Sequence, residues 1–218
     1  MKKFIPLVAL LFAASAMFAQ MPEKFVKAME DKIALMDSAR TPDGYIDLAN
    51  AFERIANAEK TQWLPFYYAA YCNVMAGNLQ MTGTMGGNAD KTDPLADKAE
   101  ALLNKAEEME KNNSEIYAVK KMILSLRMMG DPMNRYMTYG TQAAAALAKA
   151  KELSPENPRV YILEAEDQYY TPEQYGGSKE EARKLFEKAK KLFESFKPAS
   201  SVHPNWGKNQ IDYFLSLY

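Results

Sequence analysis

Few residues of this 218-residue sequence could carry out nucleophilic catalysis, because it contains one histidine and one cysteine, His203 and Cys72. A serine or cysteine nucleophile needs an adjacent base, which is most often a histidine. His203 lies in the stretch "SSVHPNWG", whose proline and glycine predict a turn. Cys72 lies in the apolar stretch "FYYAAYCNVM", which favours a buried thiol over a reactive one. We therefore predict no catalytic residues and a protein that is not an enzyme.

Three carboxylates, Asp90, Asp93 and Asp97, could supply oxygen ligands to a calcium ion. Their spacing does not match an EF-hand loop, and Asp93 directly before Pro94 is typical of a helix N-cap. Other acidic residues recur in helical surface patterns such as "KEEARKLFEKAKK", so a hydrolase with dispersed carboxylates is a distant alternative. We predict no metal site and no cofactor.

The charge balance excludes one class of partner. The chain has 27 basic and 28 acidic residues, which give a formal net charge of −1. A protein that binds a nucleic-acid backbone needs a concentrated positive surface, and the sequence contains no basic block. The 48% share of apolar residues is typical of a folded chain. We expect a folded protein that does not bind nucleic acid.

The first residues, "MKKFIPLVALLFAASAMFAQ", have the layout of a secretory signal peptide, with two lysines, a short apolar run and then small residues. The apolar run is shorter than the about twenty residues that a membrane-spanning helix needs. Cleavage after Ala16 and cleavage after Ala19 both fit the pattern. We predict a signal peptide at residues 1–19 and one domain at residues 20–218. The mature protein would lie in the periplasm or outside a Gram-negative cell, without stable membrane insertion.

Long segments with helical periodicity make up most of the sequence. Glycine and proline separate these segments, and none of them alternates as a β-strand would. The chain is therefore predicted to be all-α. The predicted helices are Glu23–Ala39, Tyr45–Glu59, Trp63–Ala76, Pro94–Lys111, Ser114–Met129, Thr141–Leu153, Pro158–Tyr170, Lys179–Phe196 and Lys208–Leu217.

A pattern of alanine, then leucine or phenylalanine, then alanine occurs three times with a spacing that places all three residues on one helical face. Alanine at such positions lets a neighbouring helix approach closely. Two other segments place an aromatic residue one helical turn before an alanine, and Pro155 follows the second copy of the pattern. The copies are Ala99-Leu103-Ala106, Ala143-Leu147-Ala150 and Ala182-Phe186-Ala189, and the aromatic pairs are Phe66/Ala70 and Tyr161/Ala165.

These motifs resemble the tetratricopeptide repeat (TPR) family, and the chain is identified as an exported bacterial TPR-like protein. The resemblance implies an array of helical hairpins, a TPR-like α-solenoid, with an N-terminal helix and a C-terminal capping helix. Three features depart from the family pattern. Lys121 stands four residues after Tyr117 where a small residue is expected, the other two copies lack the closing proline, and the copies are spaced more widely than the family's repeats.

The resemblance also implies a binding groove, because family members often hold a partner peptide along the inner faces of their first helices. Carried over to this chain, that face is mostly aromatic and aliphatic. It consists of Tyr67, Tyr71, Met122, Leu126, Ile162, Glu166, Tyr169 and Tyr170. The alternative is that the N-terminal helix of the chain covers the groove with its apolar stripe of Phe25, Met29, Ile33 and Met36.

Three long junctions, "GNLQMTGTMGGNADKTD", "GDPMNRYMTYG" and "TPEQYGGS", each join the first helix of a pair to the second. In a stacked array they would form a continuous rim along one edge. The rim contains Met133, Tyr136, Tyr139 and Tyr175, which are of types enriched at protein interfaces. The alternative is that the loops fold back over their own helices.

Together these patterns predict a non-catalytic scaffold or adaptor for protein–protein interactions in the periplasm or cell envelope. Its partner would be a protein or peptide of unknown identity, bound by the groove or by the rim. The protein itself would be a monomer, because stacking the repeats leaves no long apolar face. The alternative function is a carrier or sensor of a small apolar ligand, held between the groove aromatics and the N-terminal helix.

Overall fold

The computed structural model describes residues 21–81 and 86–218. The predicted signal peptide and residues 82–85 of the first long loop lie outside the described residues. Within these ranges the chain forms ten α-helices and no β-strand, which confirms the all-α prediction. The helices are α1 (Glu23–Met36), α2 (Pro42–Glu59), α3 (Leu64–Gln80), α4 (Ala89–Met109), α5 (Ser114–Gly130), α6 (Pro132–Arg135), α7 (Thr141–Leu153), α8 (Pro158–Tyr170), α9 (Lys179–Ser195) and α10 (Lys208–Leu215). A π-helix (Tyr136–Gly140) joins α6 to α7, and a 3₁₀ turn (Glu173–Tyr175) precedes α9.

The predicted bounds of α7 and α8 agree with the structure, whereas those of α4 differ most. This helix begins at Ala89, so Asp93 and Pro94 lie inside it and the prediction that Asp93 is an N-cap is wrong. The Asp93 carboxylate instead accepts hydrogen bonds from both terminal nitrogens of Arg135, at 2.7 and 2.8 Å. That guanidinium lies 42 residues further along the chain, so the local sequence could not indicate the pairing.

Two asparagine caps determine where α5 and α8 begin. The side chains of Asn113 and Asn157 accept hydrogen bonds from the backbone amides of Glu115 and Arg159, at 2.8 and 3.0 Å. Such a cap satisfies an amide that the first helical turn leaves without an intrahelical partner. Glu115 and Arg159 therefore occupy equivalent positions in the first turns of the two helices.

Helices α3, α5 and α8 lie side by side, and we call them the central row. Each of α4, α7 and α9 packs against the preceding helix of the row, and α2 also packs against α3. The approach of α3 to α5 is very close at Gly77, where a Cβ atom would lie 2.5 Å from Cδ2 of Leu126. A larger residue at this position would force the Leu126 side chain to shift, so the glycine favours this close approach.

The repeated alanine pattern lies where the helices touch. All three copies are buried, which confirms the prediction that they mark close helix contacts; the residues are Ala99, Leu103, Ala106, Ala143, Leu147, Ala150, Ala182, Phe186 and Ala189. The backbone carbonyl of Ala150 accepts a hydrogen bond from the Ser114 hydroxyl at 2.8 Å, so α7 also lies against the start of α5. Ala144, on the same helix, is exposed.

The N-terminal helix does not cover the groove. Helix α1 packs against α2, and its side chains Phe25, Met29 and Met36 are buried in the main core. The alternative in which α1 closes the groove is therefore wrong, because the apolar stripe of this helix is already used against α2.

The C-terminal segment, residues 196–207, covers part of the central row instead. Val202 is fully buried in the main core, and its carbonyl oxygen accepts a hydrogen bond from the Tyr68 hydroxyl at 3.1 Å. The Trp206 indole donates to the Tyr67 hydroxyl at 2.8 Å. These two bonds hold the segment across α3.

Replacement of Ala150 by leucine should destabilise the fold, since the side chain is fully buried where α7 meets α5 and α8. We expect Ala150→Leu to lower the free energy of unfolding by about 1–3 kcal/mol, the usual cost of overpacking a core. Ala144→Leu, on the exposed side of the same helix, should have little effect. Thermal unfolding of both variants measures the difference, and equal destabilisation would contradict the assigned packing face.

Candidate functional site

A buried ion pair joins α5 to α8 near their first turns. Nε of Arg159 donates to both carboxylate oxygens of Glu115, at 2.9 and 2.7 Å, and its guanidinium is fully buried. The Tyr67 hydroxyl donates to the same carboxylate at 3.3 Å, which brings α3 into the network. The Phe196 ring covers the guanidinium, with its centroid 4.5 Å away. This end of the central row is thus closed by packing.

The opposite part of the row contains a polar cluster around Glu166 of α8. Its carboxylate accepts a hydrogen bond from the Gln210 side chain of α10. Burial raises the pKa of this carboxyl to about 7, although the Lys121 charge and the Gln210 hydrogen bond act in the opposite direction. Glu166 is therefore about half protonated near neutral pH.

Lys121 of α5 lies beside this carboxyl and is almost completely buried, with 5% of its side chain exposed. Its ammonium donates to Oδ1 of Asp167 at 2.7 Å. Asp167 reaches the lysine from the surface, since half of its own side chain, 50%, is exposed. Lys121 is thus a buried cation whose hydrogen-bonded counter-ion is half exposed, and a buried charge is costly unless it is well paired.

An exposed aromatic surface borders this polar cluster. Tyr170 lies one turn after Glu166 on the same face of α8 and is 58% exposed. Tyr213 of α10 is 60% exposed. The pKa of Tyr170 is raised, mainly by burial and in smaller part by Tyr213, so the two tyrosines lie near each other. Both rings pack against Phe214, with centroid distances of 5.9 and 5.4 Å. We call Lys121, Glu166, Asp167, Tyr170, Gln210 and Tyr213 together the Glu166 site.

The arrangement of the Glu166 site suits a ligand with both apolar and anionic parts. Its two exposed tyrosines offer flat apolar faces, and flat rings stack favourably on such faces. Its lysine offers a cation in a poorly solvated place, where an electrostatic contact is stronger than in water. Nucleophilic chemistry at Cys72 is disfavoured, because burial raises the pKa of this thiol far above its ordinary value.

Only part of the predicted groove forms one surface. Tyr67 and Tyr71 are buried, and the Tyr71 ring lies 5.0 Å from that of Trp206. Leu126 and Ile162 are buried in helix packing. Met122 and Tyr169 are partly buried against neighbouring core clusters. The remaining two predicted residues, Glu166 and Tyr170, belong to the Glu166 site.

Four members of this site were not predicted from the sequence as binding residues. Lys121 was visible only as a departure from the repeat pattern, and nothing local indicated Asp167 or Gln210 as its neighbours. Lys121 stands where the repeat pattern expects a small residue, and this departure was the one feature of the sequence that pointed to the site. Tyr213 was likewise absent from the predicted groove, because α10 was expected only to cap the array.

The predicted rim is exposed at most of its positions. Met133, Tyr136 and Tyr175 are exposed, while Tyr139 lies beneath the guanidinium groups of Arg127 and Arg135. The Arg135 pairing with Asp93, described above, holds the second loop against α4. Whether the rim binds anything stays a prediction.

The structure also bears on the predicted ligand pocket, on membrane spanning and on metal ligands. A shallow depression of about 350 Å³ lies between α1 and α2, lined by Lys32, Arg54 and Ile55 among others, and not between α1 and the groove aromatics as predicted for a ligand carrier. In the described ranges, no helix is long and apolar enough to cross a membrane, and no group of three or more metal-ligating side chains comes together.

Comparison with known proteins identifies a relative of known structure. No family model matches the sequence, and no curated protein matches it. Among solved structures, the HusA haemophore from Porphyromonas gingivalis matches with a TM-score of 0.76 and 35% sequence identity. The match covers 88% of this chain and 92% of that chain.

This match corrects three predictions. The identification as a TPR protein is wrong, because the matching structure is a haemophore and no repeat family model matches. The alanine pattern misled because any closely packed set of helical pairs requires small residues at its contacts. The predicted scaffold or adaptor function and the predicted protein or peptide partner are wrong for the same reason, since the matching protein is a ligand carrier. The matching haemophore is a non-enzymatic carrier, which is consistent with the predicted lack of catalysis.

Glu166 should make the stability of the fold depend on pH. Because its pKa in the folded protein, about 7, lies above its ordinary value of 4.5, folding favours the protonated form. The resulting stabilisation is complete below pH 4.5 and is lost as the pH rises through 7. Glu166→Gln should remove this dependence, with a difference of about 1–3 kcal/mol across the range.

Melting temperatures measured from pH 4 to pH 8 test this expectation. Glu156→Gln, at an exposed position before α8, serves as the matched control and should keep the wild-type profile. A wild-type profile in Glu166→Gln as well would mean that folding does not raise the pKa of the Glu166 carboxyl.

Proposed function

The chain belongs to the family of the HusA haemophore, and from that premise we propose that it binds and carries haem or another porphyrin. The observation that carries the proposal is the sequence identity and common fold that extend over nearly the whole of both chains. A carrier of this kind corresponds to the small-apolar-ligand alternative rather than to a scaffold. It needs a binding surface and no catalytic residues.

The Glu166 site is the proposed binding surface. A porphyrin is a flat apolar ring that carries carboxylates at its edge, so its binding requires aromatic or aliphatic contact area and a nearby cation. Tyr170 and Tyr213 supply exposed aromatic area, and Lys121 supplies the cation. The other end of the central row is occupied by the C-terminal segment, whose Trp206 packs on Tyr71.

Two finer features belong to the proposal. The successive helical pairs would form a short α-solenoid, with α10 as its cap, which would place α3, α5 and α8 on one continuous face. Residues 1–19 would act as a signal peptide, and residues 20–218 would form one domain that acts in the periplasm or outside a Gram-negative cell. The lysine pair and the short apolar run of the N-terminus support the export of the chain.

Haem titration of the purified chain without residues 1–19 tests the function. We expect a saturable change in haem absorbance with a stoichiometry of one haem per chain. Tyr170→Ala combined with Tyr213→Ala should weaken binding at least tenfold, about 1.4 kcal/mol, because it removes the exposed aromatic area. Both side chains are exposed, so the melting temperature should change little.

Two exposed tyrosines of the rim provide a matched control for the tyrosine pair of the Glu166 site. Tyr136→Ala combined with Tyr175→Ala removes two exposed tyrosines from the long loops and should leave haem affinity unchanged. No saturable binding by the wild-type chain would contradict the proposed function. Loss of affinity in the rim variant instead would place the site on the rim.

A further inference from the structure

The Lys121 ammonium has capacity for a further anion. A lysine ammonium carries three donors, and in the described part of the chain a single acceptor, Oδ1 of Asp167, lies within hydrogen-bond distance of it. The lysine side chain is almost entirely buried, whereas that of Asp167 is half exposed. The cation is therefore held in place by the core, and its counter-ion can move into solvent.

We propose that Lys121 binds a carboxylate of the ligand, and that this carboxylate takes the place of Asp167 on the lysine ammonium. The inference rests on the proposed function, because it assigns a subsite to the porphyrin's edge. It identifies Lys121 as a specificity-determining residue for ligands that carry a carboxylate. It also identifies Asp167 as a competitor that keeps the buried charge paired in the ligand-free protein.

The electrostatics favour an exchange over simple addition. A buried ammonium without a counter-ion is strongly destabilising, so some carboxylate must remain beside it at all times. Asp167 loses little when it leaves, because its half-exposed carboxylate regains full hydration. The ligand carboxylate gains more than it would at the surface, since the site around Lys121 is poorly solvated.

The neighbouring groups are compatible with an added carboxylate. Glu166 also lies near Lys121, and because burial raises its pKa to about 7 it is less charged near neutral pH than an ordinary carboxyl. Burial raises the pKa of Tyr71 and of Tyr170, so both hydroxyls are neutral there as well. Tyr170 follows Asp167 by three positions on α8, which places the aromatic surface beside the exchanged carboxylate.

Two probes separate this subsite from the function as a whole. Haem carries free carboxylates, and haem dimethyl ester presents the same ring without their charge. The wild-type chain should bind haem at least tenfold more tightly than the ester. Lys121→Met should remove that preference by weakening haem binding, with ester binding unchanged.

Asp167→Asn gives an independent readout in the opposite direction. It removes the competing carboxylate, so it should strengthen haem binding at least threefold, leave ester binding unchanged and lower the melting temperature of the ligand-free chain. The matched control is Lys120→Met, which removes a neighbouring lysine of α5 that pairs with Glu107 at 3.1 Å. It should change neither affinity.

The outcomes are distinguishable. Equal wild-type affinity for haem and its ester, or weaker haem binding by Asp167→Asn, would overturn the subsite while leaving the carrier function intact. Failure of both probes to bind the wild-type chain would overturn the carrier function, and the subsite with it. If Lys121→Met does not fold, the Asp167→Asn comparison still decides the question.

Discussion

The buried pair between Glu115 and Arg159 is the contact on which the arrangement of the central row depends. It links the first turns of α5 and α8, and Tyr67 joins the same carboxylate from α3. Removing one partner of a buried ion pair leaves an uncompensated charge, so placements of the helices that separate Glu115 from Arg159 are strongly disfavoured. About two helical turns further on, that placement brings Lys121 beside Glu166 and Asp167.

The C-terminal segment divides the row into two regions with different properties. Residues 196–207 close the end that contains the ion pair, where Phe196 and Trp206 lie over the Arg159 guanidinium. Beyond this segment, α10 contributes Gln210 and Tyr213 to the Glu166 site. One stretch of chain thus covers part of the predicted peptide groove, through Trp206, and contributes to the Glu166 site, through Gln210.

The local sequence predicts most of the helices but not the residues of the Glu166 site. Helices α7 and α8 were predicted with the correct bounds because turn residues such as Pro155 and Asn157 mark their ends. The start of α4 was missed because Asp93 and Pro94 have the pattern of a helix start but lie inside the helix, where Asp93 pairs with the distant Arg135. The contact between Lys121 and Asp167 and the packing of Trp206 on Tyr71 also join residues that are distant in sequence. Helical periodicity does not predict such contacts. The alanine pattern correctly predicted where the helices pack, but it did not identify the family.

A crystal structure of the chain with bound haem would locate the ligand. We expect the porphyrin ring against Tyr170 and Tyr213, one propionate on the Lys121 ammonium, and Asp167 turned towards solvent. The C-terminal segment should remain bound to Tyr67 and Tyr68. Haem bound at the rim, or beneath a displaced C-terminal segment at Arg159, would overturn the assignment of the Glu166 site.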